Sequence, residues 1–159
     1  MSRAALVCLA LLPGLGCSWQ VERSIEIQAS PAVVWSVLSD LEAYDEWNSY
    51  SPSAEGELAP GGVVTIEARL GEEVRRVDNR VTRVEPERSL CWHSMNWFEF
   101  LVRGTRCRDL EPSAAGTRLR HHEVMEGPLA GLIKWVYRPR IEAGLEQMNA
   151  DLKRAAEAR

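Results

Sequence analysis

The feature that most constrains this chain is a change of period near residue 128. Before it, apolar and polar residues alternate over several short runs. After it, Ile141, Leu145, Met148 and Leu152 recur at i, i+4, i+7 and i+11. Alternation marks half-buried strands, and the second pattern marks a helix with one apolar stripe. A sheet with one apolar face and a helix with one apolar stripe satisfy each other by packing together. Glu142, Glu146, Asp151 and Lys153 are assigned to the wet side of that helix. Pro139 is expected to kink or interrupt it, leaving a short helix ahead of the long one.

Turn residues place the other elements. VERSIEIQAS alternates from Val21 to Ile27, so it reads as a strand. Ser30 is a good N-cap and Pro31 a good first helical residue. Val34, Val37, Leu38, Leu41 and Tyr44 then follow helical spacing, which gives two short helices broken near Ser39 and ending about Trp47, with Asp40 capping the second. Residues 48–62 are turn-rich and hold at most one short strand. GVVTIEARL, VRRVDNRVTRVEP, ERSLCWHSM, FEFLVRGTRCRDLEP and TRLRHHEVMEG read as an antiparallel meander. The expected class is α+β, a curved antiparallel sheet wrapped around a long C-terminal helix, with two short helices after the first strand. The volume between sheet and helix is a natural ligand cavity.

The 159 residues suit one domain, and the net charge of −4 gives no electrostatic case for a nucleic-acid partner. The opening, MSRAALVCLALLPGLGC, differs from the rest. Arg3 precedes an apolar run over 4–12, followed by Pro13, Gly14, Gly16 and Cys17. Residues 1–17 therefore read as a signal-peptide or lipoprotein-like leader. The run is far shorter than the roughly 20 residues of a membrane-spanning helix. A Cys after a small residue resembles a lipoprotein cleavage site, in which case Cys17 would carry lipid and attach the protein to a membrane. Export or anchoring is the preferred expectation. The alternative is a start codon placed too early, with the true chain beginning near Trp19 and remaining cytoplasmic. The folded domain is expected over 21–156, as a monomer.

Cys91 and Cys107 are the cysteines of that domain. They lack CxxC spacing, and no metal site is expected. Two buried free thiols are expected, with a disulfide as the alternative in an exported protein. His121 and His122 are adjacent and point to opposite faces of a strand, so they cannot chelate one ion together.

The IEIQASPAVVWSVLSDLEAYDEWN segment, with Ser30, Pro31, Val34, Trp35, Asp40, Tyr44, Trp47 and Asn48, resembles the opening of the START-related SRPBCC superfamily, the polyketide cyclase-like proteins. VTRVEPERSLCW and GLEQMNADLK resemble its later segments. The resemblance implies a helix-grip fold over nearly the whole chain. It implies little about activity, because lipid carriers, cyclases, hormone receptors and co-chaperones share that fold.

Candidate site residues follow from strand faces. Leu119, His121, Glu123 and Met125 share one face of the last long strand, and Val102, Gly104, Arg106, Arg108 and Leu110 share one face of the strand before it. A turn at 112–116 would set Arg106 opposite Glu123 and Arg108 near His121. With Trp92 and Ser94, these residues form the expected ligand cavity: Trp92, Ser94, Val102, Arg106, Arg108, Leu119, His121, Glu123 and Met125. Trp47 and Tyr50 are placed at its entrance, with Tyr50 as a gate. The polar pairs are read first as a lining that satisfies itself. The sharper alternative makes Arg106, His121 and Glu123 a ligand anchor or an acid/base group. No cofactor motif is present. The leading function is binding, transport or sequestration of a small hydrophobic or amphipathic molecule, a lipid among the options. The alternatives are a cyclase- or aromatase-like enzyme and a partner-binding module.

Overall fold

A computed structural model describes residues 18–159 apart from 71, 72 and 97. The leader with Cys8 and Cys17, and the hairpin-tip Trp97, lie outside the described residues. The elements are β1 (Ser18–Ile27), α1 (Pro31–Leu38), α2 (Tyr44–Trp47), β2 (Ser53–Gly56), β3 (Val63–Leu70), β4 (Glu73–Glu85), β5 (Ser89–Met95), β6 (Arg103–Ser113), β7 (Gly116–Glu126) and α3 (Ala130–Glu157). The seven strands form one antiparallel sheet in the order β1-β7-β6-β5-β4-β3-β2. Helix α3 crosses its concave face, which is the helix-grip arrangement.

Local chemistry explains the start of the chain. Ser30 caps α1 by accepting from the Val33 amide, and Pro31 stands in the first turn. α2 begins after Ala43 with no side-chain cap, so Asp40 does not cap it. Asn48 ends α2, and its Oδ1 accepts from the Ser51 amide at 2.9 Å. Strand β1 begins earlier than the alternation read from Val21, because Trp19 is also buried and its Nε1 donates to the Ala130 carbonyl at 2.7 Å. Residues 98–101, read as strand, form a turn before β6.

The stripe Ile141, Leu145, Met148 and Leu152 is buried, as its spacing requires. Two expectations about α3 need correction. Asp151 is not on the wet side. It is buried and accepts from the Ser49 amide at 2.9 Å and the Ser49 hydroxyl at 2.6 Å, fastening the loop after α2 to the helix. Pro139 does not interrupt α3, which runs unbroken for 28 residues. Its ring is exposed, and Tyr137 and Ile141 pack inward on either side of it. That burial offsets the one intrahelical bond a proline removes.

The cysteines also depart from expectation. Cys91 and Cys107 are directly opposed on β5 and β6, with Cα atoms 4.2 Å apart, and they form a disulfide. That separation belongs to the closely spaced class of antiparallel pairs, in which side chains meet. Register, rather than strand adjacency alone, decided the pairing.

Candidate functional site

The concave face is filled unevenly. Toward its C-terminal end, α3 lies close on the sheet through Leu145, Met148 and Leu152. Toward its N-terminal end it stands off, and a cavity of about 550 Å³ opens between sheet and helix. One wall comes from Ile66, Ala68, Val77 and Asn79 of β3 and β4. A second comes from Ile133, Tyr137 and Ile141 of α3. The floor holds Trp92, Ser94, Val102, Gly104, Arg106, Glu123 and Met125. Arg75, Asn96 and Phe98 stand at the open end, where Arg75 donates to the Tyr137 hydroxyl at 3.2 Å.

The registers set Arg106 opposite Glu123 and Arg108 opposite His121. The two pairs have different fates. Arg106 is buried and gives two nitrogens to one Glu123 oxygen: Nε donates to Oε2 at 2.7 Å and Nη2 lies 2.5 Å from it. Nη2 also donates to the Tyr50 hydroxyl at 3.3 Å, and the guanidinium lies 5.3 Å from the Tyr50 ring centre. Burial works against the charged guanidinium, but the Glu123 carboxylate and Tyr50 more than offset it and push its pKa above the ordinary arginine value. Glu123 Oε1 is left outside that pair, beside Gly104. A Cβ at position 104 would lie 3.0 Å from it and 2.9 Å from Met125 Sδ, so the glycine leaves room on this part of the floor for both side-chain ends.

Arg108 and His121 are not on the cavity. They sit below Trp92, under the part of α3 that packs closely. Arg108 stacks on the Trp92 ring at 4.0 Å and points Nη2 at Met148 Sδ, 3.9 Å away. Burial lowers its pKa to about 10, so it keeps its charge near neutrality. His121 is held by Asn149, whose Oδ1 lies 2.8 Å from Nδ1. Burial first, then Arg108 and Arg106, push its pKa well below the ordinary value, so the ring is neutral and Nδ1 donates. Leu119 is core beside them. These three were expected in the lining. Met148, Asn149 and Leu152 of α3 close that space instead.

The entrance is also elsewhere. Trp47 packs edge-on against Tyr44, with ring centres 5.0 Å apart, and does not line the cavity. Tyr50 lines it as part of the inner wall, not as a gate. It is 4% exposed, bonded to Arg106 and seated on Gly144 of α3, where a Cβ would fall 2.3 Å from its ring. The wall from β4 and α3 was absent from the sequence reading. Its signals were present: Arg75, Val77, Asn79 and Val81 alternate, and Ile133, Tyr137 and Ile141 extend the α3 stripe backward. The expected break at Pro139 concealed the second. Among the described residues, no group of three or more His, Cys, Asp or Glu side chains is placed to hold a metal ion.

No curated protein matches the chain. Solved structures do. Protein MLL2253 from Mesorhizobium loti superposes with a TM-score of 0.69 at 21% identity, covering 88% of this chain and 98% of that one. Norcoclaurine synthase from Thalictrum flavum, in complex with dopamine and hydroxybenzaldehyde, gives 0.68 at 12% identity over 96% of this chain and 95% of the synthase. The di-domain ARO/CYC StfQ of the steffimycin biosynthetic pathway gives 0.64 at 11% identity over 89% of this chain and 50% of StfQ. At such identities the likeness speaks for the fold alone. The model of one sequence family, described as polyketide cyclase / dehydrase and lipid transport, matches residues 18–157. By that match over nearly its whole described length, the chain belongs to the polyketide cyclase / dehydrase and lipid transport family.

Proposed function

We propose that the cavity binds one small amphipathic molecule, mostly apolar, with a polar group turned toward Arg106, Glu123 and Tyr50. The observation that carries this reading is the open space of about 550 Å³ beneath the N-terminal half of α3. Ligand pockets fall in the range of roughly 300–1,000 Å³ and are mainly apolar with a few placed polar groups. Ile66, Val77, Met125, Ile133 and Ile141 supply the apolar lining, and Trp92 and Tyr137 supply flat faces. Family membership supports a small organic ligand without naming one. Native mass spectrometry of the protein from its own host, with thermal shifts across a lipid and polyketide panel, tests it. A ligand at about 100 times its Kd stabilises by about 2.7 kcal/mol. Ala68→Phe, which places a ring in the lining, is expected to abolish that shift. An empty chain with no shift across the panel overturns the proposal.

A second reading, a cyclase-like enzyme, is favoured by one observation. Both Arg106 nitrogens engage Oε2 of Glu123, and Oε1 is left beside the floor glycine. A carboxylate oxygen so placed can take a proton from a bound carbonyl compound. On this reading Glu123→Gln stops turnover and leaves binding intact. Equal turnover in the variant excludes it.

A further inference from the structure

The mouth of the cavity lies at one end of the sheet, and the registers bring three connections and the start of β1 to that end. Ser18 faces Glu126, and Arg103 also faces Glu126, so the start of β1, the end of β7 and the start of β6 lie together. The β3–β4 turn follows Leu70, and the β5–β6 loop follows Met95 at the same end.

Large apolar side chains are exposed around this mouth. Trp135, Leu132 and Phe100 are 87%, 76% and 70% exposed, and Val74, Leu129 and Val136 are exposed with them. Leu132 and Val136 of α3, with Leu129 just ahead of the helix, form an exposed strip beside the face from which Ile133 and Tyr137 enter the cavity. The Leu129 amide donates to the Leu101 carbonyl at 3.1 Å, joining the helix start to the loop that carries Phe100. Single exposed apolar residues are ordinary, but a cluster ringing a cavity marks a contact surface. Arg103, Arg138 and Arg140 are exposed on the same segments, interspersed with Glu73, Glu99 and Glu126. Tryptophan with aliphatic residues and cations is the composition of surfaces that sit at lipid headgroups.

A second observation points to the same partner. The apolar run 4–12 and Cys17 lie in the sequence just ahead of Ser18. Trp19 is pinned to Ala130 at the start of α3, so the chain enters the described fold beside the mouth. The Cys91–Cys107 disulfide suits a chain that leaves a reducing compartment.

We infer that this end of the molecule docks on a lipid bilayer, and that the cavity loads its amphipathic ligand directly from the membrane surface. The inference rests on the proposed reading of the cavity, and the experiment separates the two. Hydrogen exchange of the full chain is measured with and without vesicles of phosphatidylcholine containing about 30% phosphatidylglycerol, an anionic lipid that attracts basic residues. Slower exchange is expected at 98–101 and 129–138 only with vesicles, and no change at 86–88 and 113–116 at the opposite end. The triple variant Phe100→Ser, Leu132→Gln, Trp135→Gln is expected to need about 100-fold more lipid for the same protection, from the apolar area it removes. In vesicle-free buffer it is expected to bind 1-anilinonaphthalene-8-sulfonate, the probe for the cavity, as the native chain does. Absent protection, or equal protection in the variant, overturns docking while dye binding stands. Failure of Ala68→Phe to displace the dye overturns the cavity reading while docking stands. Protection of the mouth without vesicles, shared with residues 1–17 or dependent on protein concentration, overturns docking in favour of the leader or a second copy as the cover.

Discussion

Gly144 carries Tyr50, and Tyr50 carries the phenol that Arg106 meets, so one missing methyl shapes the polar end of the cavity. Gly144→Ala gains about 1 kcal/mol of helix propensity. It also places a carbon 2.3 Å from the Tyr50 ring. Overpacking of that kind costs about 1–3 kcal/mol. A lower melting temperature is expected, together with weaker ligand binding, because the ring must leave Arg106. In a Tyr50→Ala background the same change is expected to raise stability, and a double-mutant cycle by thermal denaturation checks the reversal. At this scale much was legible. The pairings of Arg106 with Glu123 and Arg108 with His121 follow from counting back across one turn. What strand counting cannot give is depth. Arg106 and Arg108 share a face two residues apart, yet one lines a cavity and the other lies under Trp92 and Met148. The difference is made by side chains of α3, distant in sequence and silent in the strand's own pattern.

Two elements show what a local pattern does and does not determine. Cys91 and Cys107 lie on β5 and β6 with a sequence separation of 16. Cross-linking a loop of that size stabilises by about 3 kcal/mol through its constraint on the unfolded chain. Reduction, or Cys91→Ser with Cys107→Ser, is therefore expected to lower the urea midpoint, with the native secondary structure retained in circular dichroism below the transition. An unchanged midpoint would contradict this. The pairing was missed because thiols on neighbouring strands meet only at directly opposed, closely spaced positions, and the exact register across the β5–β6 loop is not written in either strand. Helix α3 is the complementary case. Its stripe was plain in the sequence, but Pro139 was weighed as a break when long-range burial on both sides outweighed the lost bond. The first short helix was readable down to its cap because Ser30 and Pro31 act within one turn.

At the scale of the molecule, the buried polar layer beneath the cavity makes stability depend on pH. The His121 imidazole titrates well below its ordinary value near 6.5, because burial and then Arg108 and Arg106 disfavour its charged form. His122 is lowered in the same direction, first by burial. The unfolded chain takes up these protons first as pH falls through about 6.5, so their contribution is full above that pH and is lost progressively below it. The urea midpoint is expected to fall between about pH 7.5 and about pH 5.5. His121→Gln, which keeps a partner for Asn149 and cannot titrate in this range, is expected to flatten the fall; an equally steep fall would place its origin elsewhere. The direction of α3 has a practical consequence as well. The helix starts beside Trp19 and the cavity mouth and ends beside α1, where Arg159 donates to Ser36. Its 28 residues span about 42 Å. An affinity tag joined after Arg159 therefore starts a full helix length from the mouth, whereas one joined directly before Ser18 starts beside it. A tag fused directly at Ser18 is expected to lower the measured ligand affinity relative to one fused after Arg159, so carboxy-terminal or tag-free protein is the proper material for ligand experiments.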